Sequence, residues 1–323
     1  MSLTAFLHGY PPFWSMGGET STHRTLRAVP GSVVFAQTDQ GYLLDGVTVL
    51  PLPGVTSEEI EAQAIARDAE ILFAHSALAT DTVRAARRMG AYSILAVHAP
   101  PQFAKDLRRA WSAATVRLYN TEEARRAWAD NRGWVLHPPV GHGKERLSGS
   151  RDALTLTSSL VNKGVERVLA LAAVRPDRRF IIVESPAHGT HGDPYFWDWA
   201  ASLPNVEVWP RLHPDEMHRL WGETDILLAP SRYETYGMSA VEAARYGIPS
   251  VHVDTPHVRE GIGDAAYLLQ TLEFSELVDA VKEVENHRDA WSSKALERAE
   301  ALATRERGEL AAFVEKVAQL PRL

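Results

Sequence analysis

Short apolar runs alternate with amphipathic segments along nearly the whole 323-residue chain, and the alternation is interrupted once. This rhythm limits the fold more than any other feature. A strand of four or five apolar residues is buried on both faces, and a helix between successive strands makes them parallel. In the first half, strands are expected at residues 3–7, 33–36, 71–74, 94–97 and 116–119. Helical segments at 57–68, 80–89 and 121–131 lie between them, two of them opening with Ser57 or Thr121 followed by glutamate, an N-cap signature. The expected class is α/β, with doubly wound parallel sheets.

The interruption is Pro138-Pro139-Val140-Gly141-His142-Gly143 and the stretch to Gly149-Ser150, rich in proline, glycine and charge. Strand signals then resume at 154–157, 180–183, 206–208, 226–229, 250–253 and 266–269, and 274–320 is helical throughout. The expected organisation is a domain over 1–145, a second over 150–300, and a helix over 301–323 that returns to the first. Two open α/β domains bind ligands at the carboxyl ends of their strands. Dehydrogenases, epimerases, kinases and transferases share that architecture.

Composition removes several classes. With no cysteine, disulfides and cysteine-ligated zinc are excluded. A net charge of −7 argues against a surface devoted to phosphate backbones, although Arg84, Arg87, Arg88, Lys105, Arg108 and Arg109 are close in sequence and read as solvated helix faces. No apolar run approaches the roughly 18 residues of a membrane span. Residues 1–10 lack a basic region before their apolar run, so they read as a first strand rather than a signal peptide, and a cytoplasmic location is expected.

The most informative stretch runs from Asp225 to Ala243. An apolar strand ends at Pro230, a loop follows, and a helix is expected from about Met238. Backbone amides at a helix start, with the positive end of its dipole, suit a diphosphate, and Gly237 allows close approach of the backbone. Glu234 precedes that seat and Glu242 lies one turn into the helix. Ionised carboxylates accept hydrogen bonds from sugar hydroxyls.

Pro230-Ser231, Glu234, Glu242-Ala243 and Gly247-Ile248-Pro249 together resemble the signature of family 4 of the retaining GT-B glycosyltransferases: Pro-Ser, two glutamates separated by seven residues, Glu-Ala and a later Gly-x-Pro. Pro256-His257-Val258-Arg259-Glu260, ahead of Gly263-Asp264-Ala265, is similar to the family's next block. The resemblance implies two Rossmann-like domains facing across a cleft, and transfer of a sugar from a nucleoside-diphosphate sugar with retention. It implies that Glu234 contacts the donor sugar and Glu242 the ribose, while Thr235 and the amides of Tyr236, Gly237 and Met238 complete the donor seat. Lys163, in Lys163-Gly164 after a strand, matches the family's phosphate-binding lysine. The family's Gly-Arg pair ahead of it is replaced here by Thr157-Ser158, which weakens the grip on the diphosphate or passes it to another residue. A glycine pair usual after the next strand is replaced by Glu184-Ser185-Pro186.

In the first half, Gly17-Gly18 resembles the family's N-terminal loop, and His98 at a strand end resembles its active-site histidine. Phe13, Trp14 and His75 are expected on the acceptor side, and Arg211 and Leu212 near the nucleotide base. Tyr195, Phe196, Trp197 and Trp199 are further candidates for stacking on a sugar, with core packing as the plainer reading. No Asp-x-Asp motif and no zinc-type histidine spacing occurs, so metal-independent chemistry without a cofactor is expected, with Lys163 and backbone amides neutralising the diphosphate. His98, Lys163 and Glu234 are the candidate catalytic residues. The acceptor is open: a small molecule, a glycan, a protein or a modified DNA base. Two other readings stand beside the transferase: a non-catalytic nucleotide- or glycan-binding protein on the same scaffold, and a nucleotide-sugar epimerase.

Overall fold

The computed structural model describes residues 2–12, 17–102, 104–140, 147–185, 194–213 and 216–320. The chain forms two compact units, one of Met1–Gly141 with Thr304–Leu323, the other of His142–Ala303.

The first unit begins with β1 (Thr4–Leu7), α1 (Gly17–Arg27), β2 (Val33–Ala36) and a hairpin of β3 (Tyr42–Leu44) and β4 (Val47–Pro51). It continues through α2 (Ser57–Ile65), β5 (Ile71–Ala74), α3 (Ala79–Met89) and β6 (Tyr92–Val97). It then runs through α4 (Arg108–Ala113), β7 (Val116–Tyr119), α5 (Glu122–Ala127) and β8 (Trp134–Val135). The sheet order is β3-β4-β2-β1-β5-β6-β7-β8, parallel apart from β3 against β4. Alternate residues of the apolar strands feed opposite faces: Ala5, Leu7, Ile71 and Phe73 join one buried cluster, Phe6, Phe35 and Leu72 another. Phe6 pairs with Phe35 in register, and their rings stack at 5.1 Å. Each such buried aromatic contributes roughly 1.5–3 kcal/mol.

The second unit contains β9 (Ala153–Leu156), α6 (Val165–Val174), β10 (Arg179–Val183), α7 (Pro194–Ala201), β11 (Val206–Trp209) and α8 (Met217–Glu223). After these come β12 (Thr224–Ala229), α9 (Met238–Ala244), β13 (Ser250–Val253), α10 (Pro256–Glu260), β14 (Tyr267–Leu269) and α11 (Phe274–Asn286). The last helix, α12 (Arg288–Ala318), begins in this unit and ends among the residues assigned to the first. All six strands are parallel in the order β11-β10-β9-β12-β13-β14. Counted within the unit this is 3-2-1-4-5-6, the dinucleotide-binding winding, and β4-β2-β1-β5-β6-β7 repeats it in the first unit.

The structure corrects several local expectations. The cap of α2 is Thr56, whose hydroxyl accepts from the Glu59 amide while Glu59 bonds back to the Thr56 amide, so Ser57 is already inside the helix. The hairpin β3–β4 was not expected, because Tyr42–Leu44 is half exposed and carries no buried-strand pattern. The helix expected over 121–131 is the short α5, capped by Thr121 as read. The helical region 274–320 is two helices, interrupted where His287 leaves helical geometry.

Candidate functional site

In each unit the strand order reverses beside the first strand, between β9 and β12 in the second unit and between β1 and β5 in the first. Chain segments leaving the two strands of such a reversal diverge to opposite faces and leave a crevice at their carboxyl ends.

In the second unit the segment after β9 carries Lys163 and the segment after β12 carries Glu234. The switch point brings them together: Lys163 Nζ donates to Glu234 Oε2 at 2.8 Å, although the residues are 71 apart in sequence. Glu234 Oε1 also accepts from the Thr235 amide at 2.9 Å. Burial raises the Glu234 carboxyl, but the charge and hydrogen bond of Lys163, with the Thr235 amide, outweigh it and hold the group below the usual glutamate range. It is a carboxylate at neutral pH and an acceptor for hydroxyl donors.

The loop from Pro230 to Gly237 is fastened at both ends. The Arg232 amide donates to Asn162 O at 2.9 Å, joining this loop to the Lys163 turn. Gly164, at φ +87°, packs so closely that a Cβ there would lie 2.4 Å from Pro230 O; a Cβ on Gly261 would lie 2.4 Å from Tyr236 O. Gly237, at φ +82°, is the N-cap of α9, whose first internal bonds run from Ala240 and Val241 to Gly237 O. The amides of Met238 and Ser239 precede those bonds. At seven residues α9 has a modest dipole, so the positive character of the seat rests mainly on Lys163. Glu242, half-buried, lies in the middle of α9.

Ser158 occupies the turn after β9, with a buried hydroxyl that has no hydrogen-bond partner among the described residues. The neighbouring Ser159 hydroxyl accepts from the Ser185 amide at 3.0 Å, tying the ends of β9 and β10 together. Arg232 stands near the same turn and shares Glu166 with Arg167. Arg211 and Leu212 follow β11, both half-buried, with Leu212 against the apolar cluster beneath α8. Phe196 and Trp199 pack on the core, as the plainer reading of that aromatic group had it, whereas Tyr195 is exposed.

In the first unit β5 delivers His75 and β6 delivers His98, whose rings meet edge to face with centroids 4.8 Å apart. Gly18, at the start of α1, closes on them: a Cβ there would lie 3.2 Å from His75 Nε2. Gly17 beside it is exposed. Burial holds both imidazoles neutral, lowering His98 to about 4 and His75 well below its usual value, with the neighbouring His98 adding to the effect on His75. Neither His75 Nδ1 nor His98 Nε2 has a partner among the described residues. Behind His98 lies a cavity of about 20 Å³, lined by Thr22, Phe73, Leu118 and Asn120, with room for about one water. Tyr10, after β1, is tied to α1 by Tyr10 Oη to His23 Nδ1 at 2.8 Å, and His23 Nε2 continues to the half-exposed Asp45 at 3.2 Å. Phe13 and Trp14 lie outside the described residues.

Sequence reasoning passed over His252, Gly261 and Arg232. For His252 a signal was present, since a histidine inside the buried strand Ser-Val-His-Val breaks an apolar pattern. Gly261 acts through a carbonyl remote in sequence and left no local trace. Among the described residues no three histidine or acidic side chains gather as a metal site, and no helix is long and apolar enough to cross a membrane.

Residues 145–301 match the family described as glycosyl transferases group 1. Soluble starch synthase 1 of Solanum tuberosum is 31% identical over 31% of this chain, which spans only 19% of that protein. The solved structure of Anabaena Alr3699/HepE in complex with UDP-glucose superposes with a TM-score of 0.78 at 14% identity, over 99% of this chain and 100% of that one. Sucrose-phosphate synthase of Thermosynechococcus elongatus gives 0.75 at 12% identity, over 99% of each chain. The chain thus has the GT-B fold, and residues 145–301, within its second unit, are similar to the glycosyl transferases group 1 family.

Proposed function

We propose that the protein is a glycosyltransferase that moves a sugar from a nucleoside-diphosphate sugar to an acceptor hydroxyl, with retention at the anomeric carbon and without a metal ion. The observation that carries this reading is the Lys163–Glu234 pair at the switch point of the second unit, beside the Gly237 turn. Lys163 is a compact point charge suited to a phosphate oxygen. With the amides ahead of Ala240 it would stabilise the departing nucleoside diphosphate. Glu234, held ionised, would accept from hydroxyls of the donor sugar, and Glu242 from the ribose. His98, neutral at its strand end, would face the reacting sugar, and His75 the acceptor side. The UDP-glucose complex of the Anabaena protein makes uridine donors the first to try.

The test is a thermal-shift panel of nucleoside diphosphates and their sugars, with chelator present. A ligand at 100 times its Kd stabilises by about 2.7 kcal/mol, a shift of several degrees in a protein of this size. The expected result is a selective, chelator-resistant shift that Glu242→Ala abolishes. In turnover assays Glu242→Ala should raise the donor KM, and Lys163→Ala should also lower kcat; unchanged kinetics in both would remove the assignment. Ser158, standing where the family has an arginine, favours one second reading, a protein that binds the donor without turning it over. Donor binding with neither transfer nor slow donor hydrolysis would establish that reading, and interconversion of donor sugars without acceptor would mark an epimerase.

A further inference from the structure

His252 is the third residue of β13, 1% exposed, and registered against Ala229, the last residue of β12. The chain leaves β12 at that point to form the loop carrying Glu234 and Gly237, so the imidazole stands at the root of the donor loop. A Cβ built on Gly237 would lie 3.7 Å from His252 Cε1 and 3.9 Å from Nδ1, which puts the ring edge directly against the turn. Burial lowers the ring's pKa to about 4, outweighing the nearby Glu234 charge, which raises it, while the Lys163 charge adds to the lowering, so the imidazole is neutral. Its Nε2 is buried and has no hydrogen-bond partner among the described residues. A polar atom left in that condition is costly, and an apolar side chain of similar volume would pack the same space without the cost. Packing alone therefore does not explain a histidine here.

We infer that His252 is a positioning residue for the sugar end of the donor seat, supporting the Gly237 turn and through it the placement of Glu234. This rests on the donor-site reading above. A neutral imidazole suits the place because it is polar on both ring nitrogens without adding a third charge to the pair. A cation at residue 252 would compete with Lys163 for Glu234, and a carboxylate would compete with Glu234 for Lys163. On the donor-site reading Glu242 serves the ribose and Lys163 the phosphates, so the role of His252 is confined to the sugar.

Calorimetric titration separates the two ends. The probes are UDP, GDP, ADP and dTDP, with UDP-glucose, GDP-mannose, ADP-glucose and dTDP-glucose, applied to the unaltered protein, His252→Leu and His252→Gln. For the nucleotide that binds, His252→Leu should weaken the sugar conjugate about tenfold. The parent diphosphate should change less than about twofold, and His252→Gln, which keeps a polar end, should recover most of the conjugate's affinity. A leucine variant that binds both as the unaltered protein does, one that loses both equally as a collapsed loop would, or a glutamine variant no better than leucine overturns the inference. Unaltered protein that binds none of the eight compounds overturns the donor-site reading itself, and the inference with it.

Discussion

At the scale of single residues, the loop that carries Glu234 and Gly237 depends on two glycines for different reasons. Gly164 combines φ +87° with a 2.4 Å approach to Pro230 O, so any side chain is both strained and blocked. Gly261 has an ordinary negative φ of −78°, and only the Tyr236 carbonyl, 2.4 Å from a built Cβ, forbids a side chain. Gly261→Ala should therefore displace Tyr236, cost about 1–3 kcal/mol, and weaken donor binding. Gly46 provides the contrast: φ is +83° with nothing within 4 Å of a Cβ. Gly46→Ala should cost about 1 kcal/mol through backbone strain alone and leave donor binding unchanged. Urea unfolding with calorimetry on the two variants separates crowding at the site from strain remote from it, and equal binding losses would remove the argument.

Among the elements, α12 has the most consequential attachments. Glu309 accepts from the His137 amide at 3.0 Å and bonds His137 Nδ1 at 2.8 Å, and Glu306 accepts from the Val140 amide at 3.0 Å. Phe313 and Val317 enter the core of the first unit, with the Phe313 ring edge-on to Trp134 at 6.2 Å. Burial raises the Glu309 carboxyl, but its bonds to the His137 ring and amide lower it further, leaving it below 4.5 in the folded protein. The unfolded chain binds that proton first on acidification. The contribution is therefore complete above pH 4.5 and is lost as the pH falls through the depressed folded value. Glu309→Gln should cost about 1–3 kcal/mol at pH 7 and flatten the stability profile below pH 4.5. Denaturation at pH 7 and pH 4 checks both; a parallel profile would show that the carboxylate is not linked to folding.

Over the whole molecule, burial pushes His75, His98 and His252 well below the usual imidazole value of 6.5, His98 and His252 to about 4. Between pH 6.5 and 4 the unfolded chain takes up protons that the folded chain refuses, so stability should fall as the pH falls through that window. Each histidine can contribute up to about 1.4 kcal/mol per pH unit. His252→Gln should remove one share of that slope from unfolding of the second unit, as read by chemical denaturation at pH 7, 6 and 5. An unchanged slope would mean that the buried imidazole does not resist protonation.

What could be read from the chain alone was what local physics enforces. A strand covered on both faces must be an apolar run, which is why 33–36, 71–74, 116–119 and 250–253 stand at the positions expected. The turn at Gly237 and the helix from Met238 were legible in the same way, whereas the roles of Glu234 and Glu242 rest on the family resemblance and belong to the proposed function. The half-exposed β3–β4 hairpin carried no such compulsion and went unseen. Tertiary structure alone decided that Lys163 would pair with Glu234, that Gly261 would have to yield to Tyr236, and that His252 would stand beneath Gly237. Each depends on the order in which parallel strands lie side by side. That order is set by packing among strands far apart in sequence, and no local pattern of residues records it.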